Sequence, residues 1–310
     1  MTRLTTDWVK PIEKNLEEYD AKLTKLTGMD ISTLAFCAAG KQVLSKAEMK
    51  NRKVAVVRIS TGKGVIGSFA ESVAAVIRYI GAEAFIPEAH DVAGMHEAIS
   101  RDAEILFMAD DDRFIAINIK TGVVAENDDA VALGYVAALS AMVGGLSGKE
   151  VLQLGFGRLG QKTLEKLLYE GAAVSVFDKD GEKTESLYDN RKISSQYSKK
   201  EIDSSADNEN AKNQNKKQDR ISGKSHGDGR CKNNAHVLTQ LPLPLSGLIM
   251  DVTNEGGFLS AKDLSDDVKI VAPGLPLLLD DEAYMLYNEK VMHDPLQLGV
   301  AVMLTMSLGA

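Results

Sequence analysis

Gly155, Gly157 and Gly160 occupy the first, third and sixth places of GFGRLG, directly after the β-favouring run Val151 to Leu154. At that spacing each glycine has a separate task. The first allows a tight strand-to-helix turn, the second lets a pyrophosphate approach the backbone, and the third lets the helix pack close to its strand. A helix-like segment, QKTLEKLLYEG, follows at once. Its unsatisfied N–H groups and positive dipole end would face the same point. The whole loop, Gly155, Phe156, Gly157, Arg158, Leu159 and Gly160, is therefore a candidate phosphate cradle. A second apolar run, AAVSVF, ends at Asp178, 18 residues beyond Gly160. A carboxylate there can accept hydrogen bonds from both hydroxyls of an adenosine ribose and would repel a 2′-phosphate, which favours NAD over NADP. The competing reading is a structural βαβ turn whose Asp178 only caps the next helix.

Three further groups could carry chemistry. The loop STGKGVIGSFAES (60–72) joins a strand to a helix and places Ser68 and Glu71 in the first turns of that helix, where backbone N–H groups could hold a carboxylate. The glycine and lysine order of a Walker A loop is absent. Asp110, Asp111 and Asp112 follow the apolar strand EILFMA, and acids at that end of a strand suit a cationic substrate or a base acting on an ammonium. A plain polar turn explains them equally well. Finally, APGLP (272–276) and HDP (293–295) follow later strands. Pro273 and Gly274 would let backbone approach a nicotinamide, and Asp294 would point into an interdomain cleft. His90, His96 and His293 lack metal-ligand spacing, so no metal site is expected.

These groups need elements to hold them. Trp8, Ile12, Leu16, Tyr19, Leu23 and Leu26 recur at steps of three and four, which predicts one helix over 6–27 stopped by Gly28. A short helix begins at Asp30. Strands are expected at 53–60, 84–86, 104–110 and 113–119, helices at 66–80 and 93–101, and an alanine-rich helix from Ala130 to Leu146. Gly144, Gly145 and Gly148 then punctuate the chain. The expected organisation is a substrate-binding or lid domain over 1–147 and a dinucleotide-binding domain over 148–310. The second domain continues through strands near 247–253, 268–274 and 290–295 to an apolar C-terminal helix at 296–308. The fold class is α/β: a helical plus α/β N-terminal domain followed by a Rossmann-type doubly wound parallel sheet. Residues 191–236 differ in kind, being dominated by Ser, Asn, Lys, Asp and Gln, with 11 Lys/Arg against 6 Asp/Glu. Such a segment cannot bury enough apolar area to offset its ordering entropy and reads as a disordered insertion.

Composition sets outer bounds. At 310 residues, 44 % hydrophobic and 26 % charged, the chain has the balance of a globular protein of two domains. A net charge of −8 argues against general nucleic-acid binding. Cys37 and Cys231 lie far apart, which suggests a reducing compartment. The first 20 residues hold no apolar core of a secretory signal, and no run approaches the roughly 18 apolar residues of a membrane span. A cytoplasmic location with no membrane partner is expected, and the oligomeric state stays open, a homodimer included.

Taken together, STGKGVIGSFAES (60–72), FMADDDRFIAINIKTGVVAEN (107–127), LGFGRLG (154–160), APGLP (272–276) and DPLQLG (294–299) resemble the pyrrolysine synthase family. The resemblance covers nearly the whole chain except 191–236. It implies NAD-dependent oxidation of the terminal amine of a lysine-linked 3-methyl-D-ornithine, loss of ammonia and closure of a pyrroline ring. By position it implies substrate contacts for Ser68 and Asn127, acid–base or amine-binding roles for Asp110 and Asp294, and a covering segment around Leu4. Two departures stand out. An aspartate replaces the family's glutamate at 294, and the insertion replaces a much shorter connection. Two other readings share these features: another NAD-dependent amine or amino-acid dehydrogenase, and a non-catalytic NAD-responsive binding protein.

Overall fold

The computed structural model describes residues 4–188 and 235–309. The first half builds a five-stranded sheet of order β2-β1-β3-β4-β5. Its strands are β1 (Lys53–Arg58), β2 (Glu83–Phe85), β3 (Ile105–Ala109), β4 (Phe114–Asn118) and β5 (Val124–Glu126). The first three run parallel, but β3, β4 and β5 pair antiparallel. The short turn at Asp110–Arg113 forces this, because a parallel return needs a crossover of about a dozen residues.

The second half holds six strands, all parallel: β6 (Glu150–Leu154), β7 (Ala173–Phe177), β8 (Ala235–Val237), β9 (Leu248–Asp251), β10 (Lys269–Ala272) and β11 (Val291–His293). Their order, β11-β10-β9-β6-β7-β8, is the doubly wound dinucleotide-binding order read from its far edge. Its reversal, and so its ligand crevice, falls between β6 and β9. Strand β8 departs from the sequence expectation. Ala235 and His236 fall at the end of the expected insertion, yet they pair with Val174 and Ser175 of β7. Three residues of mixed polarity give too short a pattern to separate from a polar run. The rest of the expected insertion, 191–234, lies outside the described residues.

Helices flank both sheets: α1 (Thr6–Val9), α2 (Ile12–Thr27), α3 (Ile31–Ala38), α4 (Lys46–Met49), α5 (Phe69–Ile80), α6 (Asp91–Ser100), α7 (Asn127–Val143), α8 (Arg158–Tyr169), α9 (Gly181–Tyr188), α10 (Asp281–Tyr287) and α11 (Gln297–Ser307). The single N-terminal helix expected over 6–27 is broken. Pro11, which lacks an N–H, separates the one-turn α1 from α2. Gly28 ends α2 in the left-handed conformation, and the Asp30 side chain caps α3 by accepting from Thr33 N–H at 2.7 Å.

One continuous core joins the halves. It takes Val54, Val56, Ile105 and Phe107 from the first sheet, Val151, Val176, Met250 and Val271 from the second, and buried faces of α3, α5, α7 and α11. The C-terminal helix thus returns to pack on the first sheet and on α7. Small residues permit that approach. A Cβ on Gly134 would lie 2.9 Å from Leu298 Cγ, and one on Gly299 would lie 3.0 Å from Val131 Cγ2. Among the described residues no helix is long and apolar enough to cross a membrane.

Candidate functional site

A cleft of roughly 730 Å³ opens where the C-terminal ends of both sheets meet. Open α/β sheets gather ligands at that end, because every strand delivers a loop there. Leu4, Asp110, Asn127, Gly155, Gly157, Arg158, Leu159, Asp178, Pro273, Gly274 and Asp294 all line it. Ser68, Glu71, Phe156 and Gly160 do not, and each for a visible reason. Glu71 is drawn into an ion pair with Arg58 at 3.0 Å. Phe156 is 4 % exposed and belongs to the core. Gly160 is buried within the first turn of its own helix. Ser68 sits just behind the wall formed by Ile66 and Phe69, with a left-handed φ of 64° and no capping bond from its side chain.

The glycine loop divides its labour as its spacing demands. Gly155 has φ 95°, and a Cβ there would come within 3.0 Å of Val252 backbone. A Cβ on Gly160 would stand 2.5 Å from Gly155 O. At Gly157 a Cβ would meet nothing within 4 Å, because the residue faces the open cleft. Gln153, fully buried, staples the loop: its Nε2 donates to Gly155 O at 3.0 Å and Gly160 O at 2.8 Å, while its Oε1 accepts from Thr163 Oγ1 at 3.1 Å. In sequence Gln153 is one polar residue inside an apolar strand, which is the available signal. The first-turn N–H groups of α8 have no acceptor within the helix. The loop therefore offers donors, a dipole end and free space to an anion.

At the end of β7 the Asp178 side chain is only 8 % exposed. Its Oδ2 accepts from Phe156 N–H at 2.7 Å and its Oδ1 from Asp180 N–H at 2.9 Å. Those bonds lock the carboxylate beside the glycine loop. Lys183 Nζ approaches Oδ1 at 3.7 Å, and Lys179 is paired with Glu255. Arg158 is held by Asp128, the buried acid in the first turn of α7, and Lys162 pairs with Asp129 at 2.6 Å. Two basic residues of one half thus meet two acidic residues of the other at the mouth of the cleft.

Across the cleft, Asp110 sits in the β3–β4 turn. Its Oδ1 accepts from Asp112 N–H at 2.8 Å and Arg113 N–H at 2.7 Å. These bonds hold its carboxyl below the usual range, which suits a standing negative charge more than a proton acceptor. Asp111 Oδ2 accepts from Lys63 N–H at 2.7 Å, tying the 61–64 loop to the same turn.

Asp294 is 4 % exposed and saturated. Its Oδ2 accepts from Tyr135 at 2.8 Å and Tyr19 at 2.9 Å, and its Oδ1 from Leu296 N–H at 3.0 Å and Leu298 N–H at 3.2 Å. Burial and the Asp294 charge push both phenols far up, so they remain donors. Neither tyrosine carries a functional signal in the sequence, where each reads only as one member of an apolar helix. His293, half-buried beside it, places Nδ1 2.7 Å from Ala272 O, and desolvation pulls its pKa down. Among the described residues no group of three or more His, Cys, Asp or Glu is arranged to hold a metal ion.

The sheet order, the glycine turn at its reversal point and the facing second sheet define an α/β protein with a Rossmann-type half. Residues 9–125 match the family model described as "Pyrrolysine biosynthesis protein PylD, N-terminal domain". Pyrrolysine synthase of Methanosarcina barkeri (strain Fusaro / DSM 804) is 34 % identical over 180 residues, 58 % of this chain and 66 % of that protein. Pyrrolysine synthase of Methanosarcina acetivorans is 32 % identical over 180 residues, 58 % of this chain and 67 % of that protein. The chain belongs to the pyrrolysine synthase family, and its aligned part spans about two thirds of these relatives. Among solved structures, quinate dehydrogenase from Corynebacterium glutamicum in complex with NAD gives a TM-score of 0.46 at 10 % identity, covering 83 % of this chain and 93 % of that one. Shikimate dehydrogenase from Aquifex aeolicus gives 0.43 at 13 %, covering 82 % and 90 %.

Proposed function

We propose that this chain is an NAD-dependent amine dehydrogenase acting on a 3-methyl-D-ornithine joined to the side-chain nitrogen of lysine, the reaction that its resemblance to the pyrrolysine synthase family implies. One juxtaposition carries the reading. The acidic turn at Asp110 and the glycine loop at 155–160 line the same cleft from opposite halves.

The residues present fit a dinucleotide. Gly157 leaves a backbone cradle that any larger side chain would fill, and the first turn of α8 supplies donors. Asp178 stands where a ribose would be read, and Pro273 and Gly274 supply backbone for the nicotinamide end. Bound there, NAD would accept the hydride. Asp110, with Oδ1 spent on its turn, keeps Oδ2 for the substrate's ammonium. Asp294 adds negative charge to the wall and acts through the field, because its four acceptor positions are filled. Asn127, the first residue of α7, offers an amide, and Leu4 offers an apolar cover. Ser68, at the start of α5, and Glu71, through its ion pair with Arg58 of the cleft wall, support the substrate side.

The substrate amine loses a proton and its carbon a hydride to give an imine. Water then displaces ammonia to leave an aldehyde, and the neighbouring α-amine closes the ring with return of that water. The net change is loss of two hydrogens and one ammonia. Closure needs the two ends of one molecule held together, which a cleft walled on both sides provides. Incubation of the full chain with the lysine–methylornithine isopeptide and NAD, followed by mass spectrometry, tests this. A product lighter by ammonia and two hydrogens, formed with stoichiometric NADH, is expected. NAD binding without turnover would leave a dinucleotide-responsive binding protein.

A further inference from the structure

One buried acid has no part in the scheme above. Asp251 ends β9, in register with Leu154 of β6, so it stands at the reversal point of the sheet. It is fully buried. Its Oδ1 accepts from Thr253 N–H at 3.0 Å and Thr253 Oγ1 at 2.7 Å, and its backbone oxygen accepts from Gly274 N–H at 3.0 Å. Its Oδ2 has no hydrogen-bond partner, the one such buried side-chain atom among the described residues. A Cβ on Gly274 would lie 3.0 Å from that oxygen and 2.5 Å from Thr253 O. Thr253 and Gly274 line the cleft, and Asp251 lies directly behind them. An orphaned carboxyl oxygen is costly, and an apolar residue would fit this position at lower cost.

We propose that Asp251 is a specificity-determining residue for the redox state of the dinucleotide: its carboxylate, set behind Gly274, favours the cationic nicotinamide of NAD over the neutral ring of NADH. The inference rests on the placement of the nicotinamide end at Pro273–Gly274 given above. Coulomb attraction through a thin layer of backbone is stronger than the same pair would feel through solvent. Burial pushes the carboxyl up to about 7, opposed by the two Thr253 hydrogen bonds. The charge therefore appears over the neutral pH range.

Few other charges bear on this group. Glu150 and Lys269 lie at the opposite ends of β6 and β10. Glu255 is paired with Lys179, and Asp280 caps α10. His293 lies two strands away on β11, its ring on Ala272 O.

The sign follows from linkage. A cation favours the ionised acid, so NAD should bind more tightly as pH rises through about 7, and should expel part of a proton on binding. NADH should do neither. Calorimetric titration of the full chain with each nucleotide, at about pH 6 and about pH 8 and in two buffers of different ionisation enthalpy, reads both effects. The expected result is an NAD affinity rising roughly fivefold relative to NADH between those pH values, from a shift of about one pKa unit, with proton release for NAD alone. In Asp251→Asn both should vanish while NADH binding persists. Proton release in the wild-type chain needs no variant, so poor folding of the D251N chain leaves the test standing. A wild-type chain with no NAD-specific proton release overturns the inference, as does a variant that keeps the pH dependence. Equal pH dependence for both nucleotides would also overturn it, leaving Asp251 as a brace for its loops. Binding of neither nucleotide by the wild-type chain would instead remove the dinucleotide reading itself.

Discussion

Gly157 and Gly160 share one loop but make opposite demands on a substitution. Gly157 has an extended backbone that any residue adopts, and a side chain there would enter open cleft. Gly157→Val should therefore leave thermal stability near the wild-type value and weaken NAD binding at least roughly tenfold by occupying the pyrophosphate's approach. Gly160→Ala should do the reverse in the first instance, because its Cβ would press on Gly155 O at 2.5 Å. A loss of about 1–3 kcal/mol in denaturant unfolding is expected. If both variants lose stability equally, the division of roles within the loop is wrong. Asp110→Asn keeps the turn's acceptor and removes the charge. Turnover should fall on the order of 10²-fold with NAD affinity unchanged, since Asp110 belongs to the other half. Full activity would leave Asp110 as a turn residue and nothing more.

At the scale of elements, the N-termini of α7 and α8 meet across the cleft mouth through Asp128–Arg158 and Asp129–Lys162. A pyrophosphate arriving at α8 would compete with Asp128 for the Arg158 guanidinium. Asp128→Asn removes the competitor, so NAD affinity should rise, with a steeper dependence on salt as Arg158 turns to the phosphates. A lower affinity in a folded variant would mean that the pair shapes the site and is no rival to the ligand. The junction of α2, α7 and α11 depends on Asp294 and its two phenols. Tyr135→Phe strips one donor from a buried carboxylate and should cost about 1–3 kcal/mol of stability, read by chemical denaturation.

For the whole molecule, Asp251 links stability to pH. Its folded pKa of about 7 lies above the ordinary 3.8. An acid raised in this way contributes stability below its unfolded pKa, and that contribution is lost as pH rises toward and through about 7. The full loss corresponds to about 4 kcal/mol at about 1.4 kcal/mol per unit. Asp251→Asn, which cannot ionise, should then gain in melting temperature relative to wild type at about pH 8 more than at about pH 5. Equal differences at both pH values would show that burial does not govern this group. Residues 191–234 can be treated on composition alone. Their deletion with a short bridge, keeping Ala235–Val237, should leave melting temperature and NAD binding nearly unchanged. Deletion through His236 takes two of the three residues of β8 and should cost stability.

Several features followed from local sequence because local physics decides them. The glycine spacing set one turn, one cradle and one close contact. The apolar periods placed β1, β6, β7, α5 and α8 within a few residues, and Gly28 and Asp30 marked helix ends through their own backbone and capping chemistry. Other features came only with the tertiary structure. The site residues Asp128, Gln153, Tyr19, Tyr135 and Asp251 are ordinary members of helices and strands until the two halves meet. Their meaning lies in partners up to 275 positions away, as for Tyr19 and Asp294. Strand β8 exists because β7 offers it an edge, and the C-terminal helix lies close against α7 because Gly134 and Gly299 let it. The sequence carries what one segment can do with its own backbone. Which acids are buried, satisfied or left with an unpartnered oxygen is set by the neighbours that folding supplies.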